Sequence, residues 1–175
     1  LLLAVNTHHN FSNHEKVISL PIGIYEESNT LWSAMNKAMI SGVKKDSESL
    51  LNMQGSDWAF RPAIRKCISD NMEKGKYAED IHTEKVPAKH QKNVKKGSHG
   101  NKEGKLAYLG KVLKTAATIC MPGLGADTYR LWESLALGVM PVLERGMGLD
   151  RTLYRLPALL VDDFADVTPF LIRQA

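Results

Sequence analysis

The chain has 175 residues, 43% of them hydrophobic, and a formal charge of +4. That length and composition suit one ordinary domain with a real core and exclude an intrinsically disordered chain. No apolar run approaches the roughly 18 to 20 residues that cross a bilayer, and the opening LLLAV is too short, with no basic residue before it, for a secretory leader.

Apolar runs and helical patterns alternate along the chain. Residues 16–24 (KVISLPIGI) read as a short apolar strand closed by Pro21 and Gly23. Residues 29–42 predict a helix with Trp32, Met35 and Met39 packed inward at helical spacing and Gly42 as its stop. A second strand is expected in ESLLNMQ, residues 48–54. Residues 61–75 predict a helix with Pro62 in its first turn, Ile64, Cys67 and Ile68 as its apolar stripe, and Gly75 at its end. Residues 103–116 are amphipathic through Leu106, Leu109 and Leu113. ATICMP, residues 117–122, reads as a buried strand, followed by a helix over about 127–137 that Gly138 stops. VMPVLE (139–144) and ALLVDD (158–163) complete the strands, with Asp162 and Asp163 at a strand end, and DVTPFLIRQ opens a closing helix.

Strands apolar throughout and separated by helices imply an α/β fold, a Rossmann-like parallel sheet with helices on both faces. A chain that starts without Met and stops inside a helix pattern is expected to be a piece of a larger protein.

The positive charge is local. From Lys74 to Lys114 there are eleven lysines against four acids. The core of this stretch, KVPAKHQKNVKKGSHGNKEGK, has no apolar period and reads as a solvated loop, an insertion at about 76–103. No aromatic lies between Tyr77 and Tyr108, so nucleic acid is not expected as a partner. Cys67 and Cys120 have neither disulfide nor zinc spacing and read as buried thiols. His8, His9 and His14 are irregularly spaced with no completing carboxylate, so no metal site is expected, and Trp32 and Trp58 read as packing residues. Asn10-Phe11-Ser12 is a glycosylation sequon that matters only in a secretory compartment.

Chemistry concentrates in residues 123–143, GLGADTYRLWESLALGVMPVL. In parallel sheets ligands bind beyond the carboxyl ends of the strands, where loops meet helix N-termini. Gly123 and Gly125 follow a strand and let a ligand approach the main chain. Asp127 or Thr128 caps the next helix, whose start favours an anion. Thr128, Leu131, Trp132 and Leu135 form the inward stripe, leaving Arg130 and Glu133 together on the other side. Arg130 suits a phosphate and Glu133 suits paired hydroxyls, two groups that a sugar diphosphate combines. Taken alone, the same pair also reads as an ordinary surface ion pair.

The stretch MPGLGADTYRLWESLALGVMPVL resembles the sugar-nucleotide region of exostosin-like glycosyltransferases, whose pattern runs Pro-x-Gly-x-Gly-x-Asp-x-x-Arg-x-Trp-Glu-x-Leu-x-Leu-Gly-x-x-Pro-Val. The matching residues are Pro122, Gly123 (shifted one place), Gly125, Asp127, Arg130, Trp132, Glu133, Leu135, Leu137, Gly138, Pro141 and Val142. LDRTLYRLPALLVDDFADV resembles the family's continuation, HEKVISLPIGI its domain crossover, and FRPAIRK its arginine-bearing helix start. The resemblance covers residues 121–167 well. Relatives usually carry Arg after the first Pro, where this chain has Gly123.

The resemblance implies the C-terminal, donor-binding half of a GT-B fold. Residues 1–24 would hold the crossover from a mostly missing N-terminal acceptor domain and the first strand, and 25–175 the nucleotide-sugar-binding domain. It implies transfer of a sugar from a nucleotide diphosphate donor to a hydroxyl of a glycan or protein acceptor, with no cofactor besides that donor. Arg130, Gly125, Gly123 and Asp127 would line the diphosphate, Glu133 would hold donor hydroxyls, and Arg61 or Arg65 would reach the phosphates from the neighbouring helix. The catalytic base is expected in the acceptor half. A nucleotide-sugar-binding domain that transfers nothing, or an interaction domain holding an acidic partner through the lysine-rich loop, fits the same sequence.

Overall fold

The computed structural model describes residues 2–5, 14–24, 30–41, 49–54, 61–72, 77–78, 102–123, 125, 127–146 and 148–175. The sequon, His8, His9, Gly42, Trp58, Gly75 and the core of the lysine-rich stretch lie outside the described residues.

The elements run β1 (Leu2–Val5), β2 (Val17–Leu20), α1 (Thr30–Ser41), β3 (Leu51–Asn52), α2 (Arg61–Asn71), β4 (Tyr77–Ala78), α3 (Lys102–Val112), β5 (Ala117–Ile119), α4 (Tyr129–Ala136), β6 (Met140–Glu144), α5 (Asp150–Leu153), β7 (Leu159–Val161), a 3-10 turn (Phe164–Asp166) and α6 (Pro169–Gln174). The last five strands form one parallel sheet in the order β4-β3-β5-β6-β7. The chain therefore starts near the middle at β3, goes outward to β4, then returns past β3 to β5 and continues the other way. The reversal makes the carboxyl ends of β3 and β5 the topological switch point, where such sheets bind ligands.

Alternating residues of these strands feed two apolar layers, as a doubly covered sheet demands. Leu51, Ala117, Ile119, Val142 and Val161 pack with Ile68 of α2 and Ile172 of α6. On the other face Cys120 and Leu143 pack with Leu131 of α4 and Leu153 of α5, while Leu109 and Val112 of α3 pack with Leu31 and Ala34 of α1 and Val139. β3 has a two-residue ladder, yet Leu51 and Met53 are buried. Each such side chain contributes about 1.5–3 kcal/mol, so packing outweighs the short ladder in holding the strand.

Local signals explain the ends. At the close of α4, Gly138 N–H bonds Leu135 O at 3.0 Å and Val139 N–H bonds Ser134 O at 2.9 Å, with Gly138 at φ +65°. That is a Schellman motif, which an L residue enters only with strain. Thr168 opens α6 by accepting the Leu171 N–H at 3.2 Å, with Pro169 in the first turn.

Several expectations change. Residues 16–24 do not open the main sheet: β2 pairs in parallel with β1, a strand the sequence reading missed, in a separate two-stranded sheet. β4 at Tyr77–Ala78 is an edge strand inside the stretch read as an insertion, and α3 already begins at Lys102. Trp32 is 59% exposed, because α1 packs against α3 through Leu31 and Ala34 and turns Trp32 outward. Cys120 is buried, but Cys67 is only partly so.

Candidate functional site

The switch point is framed by two strand exits. β3 leads through Met53 and Gln54 towards α2, whose first residue is Arg61. β5 leads through Met121, Pro122 and Gly123 into α4. Arg61 ties the exits together: its Nε donates to the Pro122 carbonyl at 2.9 Å. A Cβ on Gly123 would stand 3.1 Å from Arg61 Nη2, so the missing side chain is what lets the guanidinium lie against the loop. Gly123 N–H in turn bonds the Gly125 carbonyl at 2.9 Å, closing the loop on itself.

Arg130, in the first turn of α4, reaches back along the sheet end. Its Nε donates to the Tyr108 hydroxyl at 3.2 Å, its Nη1 lies 3.4 Å from the Ile119 carbonyl, and its guanidinium carbon is 5.9 Å from the Tyr108 ring centroid. Burial works against its charge, but the interactions with Tyr108, Cys120 and Glu133 outweigh burial and set its pKa above the usual arginine value. The net result is the reverse at Arg61: burial and then the positive charge of Arg130 hold its pKa below the usual arginine value. Two guanidinium groups thus converge at the switch point and repel each other.

The two carboxylates nearby are engaged elsewhere. Asp127 is 3% exposed; it accepts the Ile22 N–H at 2.6 Å on Oδ2 and the Trp132 Nε1–H at 2.7 Å on Oδ1. Burial pushes its pKa up, and bonds from Ile22, Trp132 and the Thr128 backbone pull back. Thr128 has the extended backbone of an N-cap, but its side chain caps nothing. Asp127 therefore fastens the segment after β2 to the start of α4. Glu133 is 1% exposed, and its Oε1 lies 3.5 Å from Lys105 Nζ on α3. That oxygen accepts no hydrogen bond among the described residues.

The alternative reading of Arg130 and Glu133 as a surface ion pair is therefore not found. α4 packs on the sheet with one side and on α3 with another, so Glu133 and Ser134 are buried as fully as Leu131. Arg65, one turn beyond Arg61, is 5% exposed and shares the inner side of α2 with Ile68. The structure brings Arg61 against Gly123 and within electrostatic reach of Arg130, buries Glu133 against Lys105, and turns Asp127 to the Ile22 backbone. Lys105, Tyr108, Asn52 and Gln54 were not anticipated. Asn52 and Gln54 are buried at the β3 exit and bond each other, Asn52 Nδ2–H to Gln54 Oε1 at 3.1 Å and Gln54 N–H to Asn52 Oδ1 at 3.0 Å. Their signal was two amides at alternate positions of an otherwise apolar strand; that of Lys105 and Tyr108 was a basic and an aromatic residue three apart beside a leucine stripe.

Among the described residues no group of three or more His, Cys, Asp or Glu side chains could hold a metal ion, and no helix is long and apolar enough to cross a membrane. No protein-family model matches the chain, and no curated protein does.

Proposed function

We propose that the switch point between β3 and β5 binds the diphosphate of a nucleotide sugar, and that the chain is the donor-binding half of a glycosyltransferase of the exostosin-like, GT-B kind. One observation carries the reading: Arg61 and Arg130 converge at the topological switch point beside a glycine loop, close enough for Arg130 to lower the pKa of Arg61. An anion with two phosphates relieves that repulsion and takes a guanidinium on each. When the sugar leaves, negative charge grows on the diphosphate, and cations already fixed in place stabilise it without reorganising. The buried Glu133, whose Oε1 accepts no hydrogen bond among the described residues, suits a hydroxyl of the ribose or the sugar. In this reading the donor needs no metal, because the guanidinium groups supply the charge. The hydroxyl acceptor, glycan or protein, and the base that activates it belong to an N-terminal acceptor domain, and nucleic acid is not a partner.

A thermal-shift screen against UDP-, GDP- and CMP-sugars tests the reading, since a ligand of the folded state raises Tm with its occupancy. Arg130→Ala removes a charge-assisted contact worth roughly 1.5–3 kcal/mol, so affinity for the best ligand falls about tenfold to a hundredfold by calorimetry. An Arg130→Ala chain that binds as tightly as the parent refutes the assignment, and a parent that responds to none of the nucleotide sugars refutes the function.

A further inference from the structure

Arg130 and Glu133 stand three apart on α4, a spacing at which opposite charges pair on an isolated helix. They make no direct ion pair here, although the Glu133 charge still favours the Arg130 cation. Lys105 and Tyr108, also three apart but on α3, take one each: Tyr108 accepts the Arg130 Nε–H, and Lys105 faces Glu133 with both side chains buried, 7% and 2% exposed. We propose that Lys105 and Tyr108 are positioning residues that hold Glu133 and Arg130 apart, leaving the Arg130 charge for the diphosphate. The inference rests on the diphosphate reading above.

The physics of a buried carboxylate makes the arrangement necessary. Glu133 is out of water and has to be matched by a cation. Without Lys105, the cation one turn earlier on its own helix is Arg130, and an Arg130–Glu133 pair would neutralise the group the phosphates need. Tyr108 solves the other half. Its hydroxyl orients the guanidinium through Nε without bringing a negative charge, and burial, opposed by Arg130, pushes the phenol pKa up, so it stays neutral. The ring face adds attraction for the cation without competing with an anion.

Inorganic pyrophosphate is the probe, because it has no hydroxyls for Glu133 to bind. Isothermal calorimetry compares the parent chain with Lys105→Met, Lys105→Met/Glu133→Gln and Tyr108→Phe. Freed from Lys105, Glu133 captures Arg130, and Lys105→Met binds pyrophosphate about tenfold or more weakly, the scale of one lost charge-assisted contact. Removing the carboxylate as well releases Arg130, and the double variant returns to within about threefold of the parent, a rescue that a merely structural role does not produce. Tyr108→Phe keeps the ring and the packing and binds about threefold to tenfold more weakly. Equal binding by Lys105→Met, or a double variant as weak as the single, overturns the inference. Should Lys105→Met fail to fold, Tyr108→Phe and the double variant decide: parent-like affinity in Tyr108→Phe, or weak binding in the double, overturns it. A parent that binds pyrophosphate while every variant equals it removes this inference alone. A parent that binds neither pyrophosphate nor any nucleoside diphosphate removes the diphosphate reading with it.

Discussion

Two glycine-to-alanine changes at the two ends of the β5–α4 unit have opposite consequences. Gly138 has φ +65°, and a Cβ built there meets nothing within 4 Å. No neighbour contributes a clash, so Gly138→Ala loses only what an L residue loses in the left-handed region, about 1–2 kcal/mol. At roughly 2–4 °C per kcal/mol for a domain of this size, Tm falls by about 2–8 °C. Gly123 lies outside the left-handed region, and its Cβ would come 3.1 Å from Arg61 Nη2, the far end of a flexible side chain. Narrowing the unfolded ensemble favours folding by about 0.4–1 kcal/mol, which offsets the push, so Gly123→Ala stays within about 1 kcal/mol of the parent. The push is felt in function instead. Arg61 is anchored at Nε by the Pro122 carbonyl, so its outer nitrogens swing away, and pyrophosphate affinity falls about threefold to tenfold. Urea unfolding at constant m-value measures the first effect and calorimetry the second. Gly138→Ala as stable as the parent, or Gly123→Ala more than about 2 kcal/mol less stable, refutes the reasoning.

Three further outcomes follow from single side chains. Burial pushes the Cys120 thiol up to about 12, so in the native chain a thiol reagent at about pH 8 modifies the half-buried Cys67 and spares Cys120 until denaturant is added; two equally fast thiols would contradict the packing. Thr168→Ala removes the cap on the Leu171 N–H and lowers stability by about 1 kcal/mol in urea unfolding, whereas Thr168→Ser leaves it nearly unchanged. Burial, and then the neighbouring Asp163 carboxylate, raise the pKa of Glu144. The folded chain then holds that proton more tightly than the unfolded chain, and the Glu144 contribution to stability declines as pH rises through the raised value. Tm of Glu144→Gln relative to the parent therefore climbs as pH rises above the ordinary glutamate value of about 4.3, and a flat difference would exclude the raised pKa.

The sites differ in how readable they were. The positions of Gly123 and Arg130 beside a strand exit were legible because an apolar run ends there in Pro122 and Gly123, whereas Arg61 entered through the resemblance of FRPAIRK to a family helix start. Glu133 was legible as a residue, but its burial was not. A helical wheel shows one inward stripe, whereas α4 is covered by both the sheet and α3. Trp32 was misread for a related reason: helical spacing selects a face without saying which face meets a neighbour, and α1 met α3 through Leu31 and Ala34. β1 and β4 were missed because short runs without flanking turn signals carry no period to read.

The sequence alone determined the class of the fold and its punctuation. Continuous apolar runs separated by helical patterns leave a covered parallel sheet as the only way to bury both strand faces, and Gly138 and Thr168 end or begin helices through bonds within a few residues. The tertiary structure decided the strand order, and with it the switch point between β3 and β5. It also decided the partner of each charge: Arg61 on Pro122, Arg130 on Tyr108, Glu133 with Lys105, and Asp127 on Ile22. These contacts join residues from 22 to 105 positions apart. Local periodicity holds no information over such separations, because burial of a polar side chain depends on which element comes to lie against it.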